Sequence, residues 1–373
     1  MIERKKILLV SSSFYPEISP RSFRATELAK EYSKRGHEVT VITKSREFDY
    51  VDFLKNHPVN LKMWKNSMFL NVPLTGIKAL DIIMRGLYRI LSIVFEFPAI
   101  TELYKVKSFL KKENGYDLLI SFAVPHPVHW GTAKVQTPKH RIAKKWVADC
   151  GDPYMFSRFD SFRKPFYFKS YEMDWCTKCD FVSIPFIDLK TQFYPQFESK
   201  MVEIPQGFDF GEIKLSKNRN DHGKPVFLFA GSVIPGIRDL NQLMEFLKKY
   251  DQDFLFIIYT NQNAYYQEYK RMLGERIEVR PYIDRLTLIF EMSKVDFLVN
   301  VDTIHDNEEN IKAIPSKLID YALSERPILN LNSASLDEDK VSAFLNKDYT
   351  DQRVIDKAKY DIRLVADKFL SLV

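Results

Sequence analysis

Lys6-Ile7-Leu8-Leu9-Val10-Ser11-Ser12 decides the fold class, together with the two stretches that follow it. A short, β-rich apolar run ending in small polar residues reads as a strand buried on both faces, the kind a parallel sheet requires. After a loop at residues 13–20, a helix is predicted from about Arg21. There Ala25, Leu28, Ala29 and Tyr32 fall on one stripe at i, i+3, i+4 and i+7. Lys34 and Arg35 suit the negative end of that helix, and Gly36 supplies a left-handed stop. Val39-Thr40-Val41-Ile42 is the next strand, which completes one β-α-β unit.

Working outward, the same pattern repeats. Strands are predicted at Asp117–Phe122, Trp146–Asp149, Phe181–Ile184 and Met201–Ile204, with a long helical pattern over residues 164–178. Residues 211–225 are polar and hold no run able to enter a core, so they read as a linker. The alternation then restarts with strands at Val226–Ala230, Phe254–Tyr259, Ile277–Val279, Phe297–Val301 and Ile328–Leu331. Between them lie helical patterns near residues 240–250, 264–273, 286–292 and 316–323. The chain of 373 residues exceeds one typical core. The expected architecture is α/β, with two doubly wound halves. Residues 1–210 form the first and residues 211–349 the second, and a helical stretch at 350–373 packs back on the N-terminal domain. Ligands in such sheets sit at the strand carboxyl ends, so a cleft between facing halves is the expected site.

Composition narrows the function classes. The hydrophobic fraction of 45% and charged fraction of 28% are those of a globular protein. Cys150, Cys176 and Cys179 suit a reducing compartment, and Cys176-x-x-Cys179 lacks the second ligand pair that a structural zinc site needs. The start, Met1 to Lys6, is charged and has no apolar leader, so a cytoplasmic chain is expected. The net charge of +6 is concentrated in residues 55–115, where ten Lys/Arg oppose four Asp/Glu, an excess equal to that of the whole chain. Nucleic acid is therefore not an expected partner. The same segment is rich in Leu, Ile and Phe, which suits an anionic membrane surface. It reads equally as helices packed on the domain with a solvated basic face. The longest charge-free stretch from Lys78 to Glu102 is six residues, far short of a span.

No G-x-G-x-x-G follows the first strand, and no G-x-x-x-x-G-K-[ST] occurs, which disfavours a dinucleotide dehydrogenase and a P-loop enzyme. Two other devices are able to hold phosphate. Gly231-Ser232-Val233-Ile234-Pro235-Gly236-Ile237-Arg238 joins a strand to a helix, with glycines for close approach and a forked cation in Arg238. Pro315-Ser316-Lys317-Leu318-Ile319-Asp320-Tyr321 offers a capping Ser316, an adjacent cation in Lys317, and Asp320 one turn on for ribose hydroxyls. By periodicity alone the second stretch reads rather as an ordinary capped helix. No D-x-D pair stands in a metal-site context, so no metal and no obligatory cofactor is expected.

Motifs in order along nearly the whole chain resemble glycosyltransferase family 4, retaining enzymes of GT-B architecture, and among them bacterial enzymes of surface-polysaccharide synthesis. They are Ile7 to Val10, Phe14-Tyr15-Pro16-Glu17, Arg24 to Ala29, Gly36 to Thr43, Pro125-His126-Pro127, Asp149 to Pro153, Ile204 to Asp209, Gly231 to Arg238, and Pro315 to Tyr321 with Arg326-Pro327-Ile328-Leu329. The resemblance implies two facing Rossmann-like domains. It also implies that Arg238, Lys317 and the helix start at Ser316 hold a donor diphosphate, that Asp320 binds the ribose, and that His126 faces the transferred sugar. Gly231, Ser232 and Pro315 would line the donor site, while Tyr15, Arg21, Arg24 and Asp152 would lie on the acceptor side. Asp149 and Asp152 also suit caps of the segment after Gly151. Three positions depart from the family pattern: Lys312 stands where a Glu is usual, Ser232 where an Arg is frequent, and Ser19-Pro20-Arg21 replaces a Gly-Gly loop. Glu308 and Glu309, the acids nearest the first departure, would take the missing Glu's place at the donor site.

The expected function is that of a hexosyltransferase. It would move a sugar with retention from a UDP- or GDP-sugar co-substrate to a glycan or lipid-linked acceptor, peripheral to the inner face of a bacterial membrane. The departing phosphate would assist the incoming hydroxyl, so no protein nucleophile is needed. Two alternatives share the plan: a nucleotide-sugar 2-epimerase, and a nucleotide-sugar-binding scaffold, which Lys312 favours.

Overall fold

A computed structural model describes residues 3–17, 19–65, 76–157, 163–218, 223–302 and 316–373. The chain divides into unit 1, Met1–Phe208 with Tyr360–Val373, and unit 2, Asp209–Lys359.

Unit 1 holds strands β1 (Lys6–Ser11), β2 (Glu38–Lys44), β3 (Asn60–Trp64), β4 (Tyr116–Ala123), β5 (Ala143–Cys150), β6 (Phe181–Ile184) and β7 (Met201–Glu203). All pair in parallel, in the order β3-β2-β1-β4-β5-β6-β7. Its helices include α1 (Pro20–Lys34), α2 (Val51–Asn56), α3 (Lys78–Phe95), α4 (Ile100–Leu110), α5 (Pro127–Ala133) and α6 (Lys169–Lys178). The continuous apolar run of β1 follows from burial on both faces. Leu8 and Val10 enter a core with Leu119 and Trp146, while Ile7 and Leu9 enter one with Ala25, Leu28 and Val39. Ser19 caps α1 by accepting from the Ser22 amide, Pro20 sits in its first turn, and Gly36 at φ 82° stops it.

Unit 2 holds β8 (Val226–Ala230), α7 (Asn241–Lys249), β9 (Leu255–Tyr259), α8 (Gln267–Leu273), β10 (Ile277–Arg280), α9 (Arg285–Met292), β11 (Phe297–Asp302), α10 (Ser316–Leu323), β12 (Ile328–Asn332) and α11 (Glu338–Leu345). Its parallel sheet has the order β10-β9-β8-β11-β12. Helix α12 (Ile362–Leu370) returns to unit 1, where Val365, Ala366 and Phe369 join the core of Leu28 and Ala29. Both sheets are parallel with interleaved helices, so the α/β doubly wound class stands.

Several boundaries differ from those read in the sequence. Strand β3 and helix α2 lie in or beside a segment read as basic and helical. The strand is short, sits at the sheet edge, and carries an exposed Asn60 and a half-buried Lys62. The pattern over 164–178 is interrupted at Pro165 by a single tight turn, Phe166–Phe168, before α6 begins. Residues 351–357 are not helical, because Asp361 caps a shorter α12 by accepting from the Arg363 amide.

Candidate functional site

In unit 2 the two phosphate-binding candidates meet at the carboxyl end of β8. Gly231 follows the strand at φ 136°, a backbone that favours glycine, and its amide donates to the Tyr259 carbonyl (3.0 Å). The loop then folds back on itself through a bridge between Ile234 and Arg238, with Gly236 at φ 75° in the turn. This turn lays Arg238 over its own loop, where its guanidinium donates to the Ser232 carbonyl (3.3 Å). The Arg238 Nε is buried and has no hydrogen-bond partner among the described residues. Half-exposed, with one weak contact among the described residues, the guanidinium has donors left for an anion.

Helix α10 is locked to the same strand end. The Tyr321 hydroxyl accepts from the Ala230 amide (2.9 Å) and donates to the Ala230 carbonyl (3.3 Å). From the first turn of α10, the Lys317 ammonium lies 5.2 Å from the centre of the Phe229 ring. A Cβ on Gly231 would stand 3.9 Å from that same ring. Gly231, Ser232, Arg238 and Lys317 are therefore brought together. Ser232 is exposed, and its hydroxyl contacts the Asn261 side-chain oxygen (3.4 Å). Asp320 is claimed by a residue not singled out in the sequence: Arg285 donates twice to its Oδ1, at 2.8 and 2.6 Å. Burial raises the Asp320 carboxyl above its ordinary range while Arg285 acts against that. Pro315, Glu308 and Glu309 lie outside the described residues, as does Lys312. Ser316 is described only as the first residue of α10.

In unit 1, His126 immediately precedes α5 and is buried against Tyr154, with ring centroids 4.8 Å apart. Burial, with smaller contributions from His129, Lys164 and Arg21, holds its pKa well below the ordinary value. The imidazole is neutral at pH 7, and its Nδ1 has no hydrogen-bond partner among the described residues. Arg21 pairs with Asp152 and covers Gly151, where an added Cβ would meet the Arg21 guanidinium. Asp152 is thus the partner of Arg21, while Tyr15 is exposed and stacks on Phe53 at 4.7 Å.

Arg24 corrects its sequence reading. It is buried, donates to both Asp149 oxygens at 2.7 Å, and also donates to the carbonyls of Pro205 (2.6 Å) and Ile204 (2.9 Å). Ser183 completes Asp149 at 2.6 Å. Arg24 and Asp149 are an internal tie, and neither is presented to an acceptor. The reason is tertiary: α1 lies across the carboxyl end of β5 and the turn after β7, whose carbonyls need donors.

Two carboxylates escaped the sequence reading. Glu102 on α4 accepts from the Ser12 hydroxyl (2.8 Å) and lies 3.8 Å from the Lys44 ammonium, beyond the ends of β1 and β2. Its Oε2 is buried without a partner among the described residues, as are Thr43 Oγ1, Arg46 Nε and the Tyr50 hydroxyl. The exposed rings of Tyr15 and Phe48 stand beside this group, 5.4 Å apart, with Phe48 5.2 Å from Tyr50. The signal available was position: Glu102 adjoins the apolar stripe Leu103, Val106, Leu110, which faces the sheet.

The second is Glu172 on α6, buried beneath the Tyr154 amide that it accepts (3.3 Å). Burial pushes its pKa from 4.5 up to about 7. A carboxyl whose pKa is higher when folded than unfolded stabilises the fold below the unfolded value. It loses that contribution as pH rises through the folded one. Between pH 5 and pH 8 the wild type should therefore lose roughly 2–3 kcal/mol relative to Glu172→Gln. Denaturant melts of both proteins at the two pH values check this, and parallel pH dependence would contradict it.

Neither a family model nor a curated protein sequence matches the chain. Solved structures do. A glycosyltransferase from Rickettsia africae aligns over 99% of this chain and 94% of its own, with TM-score 0.58 and 14% identity. Anabaena HepE, solved in complex with UDP-glucose, aligns over 99% of both chains, with TM-score 0.59 and 12% identity. A UDP-GlcNAc 2-epimerase from Methanocaldococcus jannaschii aligns over 98% of this chain and 99% of its own, with TM-score 0.55 and 9% identity. The fold is GT-B, and no helix among the described residues is long and apolar enough to cross a membrane.

Proposed function

We propose that this GT-B chain is a glycosyltransferase that takes a UDP- or GDP-sugar at the carboxyl end of β8. It transfers the sugar with retention to an oligosaccharide or lipid-linked acceptor, as in surface-polysaccharide synthesis. The observation that carries the reading is the meeting of the Gly231 loop, the under-satisfied Arg238 guanidinium and the Lys317 ammonium at one strand end. Charge grows on the leaving diphosphate as the glycosidic bond breaks. Fixed cations at this strand end stabilise that charge without reorganising. Arg285 occupies Oδ1 of Asp320, and the other carboxylate oxygen would accept from the ribose hydroxyls. The neutral imidazole of His126 offers a hydrogen bond to the transferred sugar. In unit 1, the exposed rings of Tyr15 and Phe48 beside Glu102 and Arg46 suit a hydroxyl-rich acceptor. The UDP-glucose complex of HepE, on the same fold, supports the donor class.

A thermal-shift series with UDP, GDP, ADP and CMP tests the donor site. A diphosphate at 100 times its Kd should add about 2.7 kcal/mol of stability. UDP or GDP should do so and CMP should not; no shift with any of the four would reject the site. The epimerase neighbour favours a second reading, which requires conversion of a UDP-sugar to its epimer with no acceptor present.

A further inference from the structure

We propose that α3, with the adjoining turn at Phe166–Phe168, is a surface that docks unit 1 on an anionic lipid bilayer. Segment 55–115 admitted two readings from sequence, and the structure separates them. A helix packed on its domain buries one face, yet none of the 18 residues of α3 is buried. Ile82, Ile83 and Ile90 are 69%, 64% and 58% exposed, and Leu80, Leu87 and Phe95 are exposed with them. Phe166 continues the patch, 85% exposed, because the Tyr167 hydroxyl beside it donates to the Val94 carbonyl at the end of α3.

The helix is nonetheless firmly held. It ends at Glu96, in a left-handed conformation, whose carboxylate receives the Tyr154 hydroxyl (2.7 Å) and the Lys164 ammonium (3.2 Å). An apolar face held outward in this way exceeds what scattered surface residues explain.

Charge selects the occupant. Lys78, Arg85 and Arg89 on α3 are exposed against a single Asp81, and Lys105 on α4 and Lys111 and Lys112 just after it are exposed too. A second copy of this chain using the same face would bring like charge against like charge. An anionic bilayer gains about 1 kcal/mol for each cation near its surface. The helix cannot span. It suits lying in the interface, with its isoleucines among the acyl chains and its cations at the headgroups. This surface is independent of the transferase reading, since no residue of the donor site contributes to it.

The test is co-sedimentation of the full chain with phosphatidylcholine vesicles, with and without about 30 mol% phosphatidylglycerol. Binding should be at least about tenfold stronger to the anionic vesicles and should weaken as salt rises. Ile83→Asp with Ile90→Asp should abolish sedimentation while leaving Tm and UDP-induced stabilisation unchanged. Lys78→Glu, Arg85→Glu and Arg89→Glu together should lower binding about a hundredfold. Three results would each overturn the proposal: wild type remaining in the supernatant, equal binding by the double Asp variant, or a solution dimer that this variant dissolves.

Discussion

Arg238→Ala lowers affinity for UDP or GDP roughly a hundredfold, about 3 kcal/mol, while leaving the melting temperature of the protein unchanged. The two halves of that expectation come from one geometry. In unit 2, among the described residues, the guanidinium makes a single long hydrogen bond, to the Ser232 carbonyl, and its Nε has no partner. Little folding stability should depend on it, and a bound diphosphate would receive most of its donors. Arg238→Lys keeps the charge but loses the fork, and should recover only part of the affinity. Calorimetric titration with each nucleotide, beside a thermal melt, checks both halves. Affinity within threefold of wild type would remove Arg238 from the site. A fall in melting temperature as large as the affinity loss would make it structural.

The largest stability effect belongs to Arg24, which the resemblance put on the acceptor side, and to the Asp149 that it pairs with. Arg24 joins α1 to Asp149 at the end of β5, to the Ile204 and Pro205 carbonyls after β7, and to the Phe369 ring of α12, 5.5 Å away. Asp149→Ala leaves that cation buried without its counter-charge. The cost is 3–5 kcal/mol, about 10 °C in the melting of a unit this size. Arg24→Ala costs a similar amount, since Asp149 is then left charged with the Ser183 hydroxyl. In Arg24→Met with Asp149→Leu no charge remains unpaired, so most of the loss should be recovered. Singles within 1 kcal/mol of wild type, or a double no better than either single, would refute the tie.

What was legible in the sequence follows what is local. The strand at Ile7 to Val10, the stripe of α1 and the stop at Gly36 are set by nearest neighbours and by burial on both faces of a parallel sheet. The pairing of Arg24 with Asp149 spans 125 positions, so no window of sequence contains it. The same is true of Arg285 with Asp320, 35 positions apart. Glu172 looks like any surface acid on a helix until Tyr154 and the core close over it. The Gly231 turn was legible as a strand-loop-helix connection because its glycines and the flanking elements are adjacent in sequence. What holds each of its side chains was not.

The route of the chain has a consequence for its synthesis. Unit 2 is an unbroken run from Asp209 to Lys359, whereas the core of unit 1 is closed by Val365, Ala366 and Phe369 from the far end. On the ribosome, the half begun second can be finished first. The opening sheet must wait, its groove for α12 uncovered, until residues 360–373 clear the exit tunnel. A chain stopped before Tyr360 should yield a sound unit 2 beside a unit 1 left for chaperones to hold.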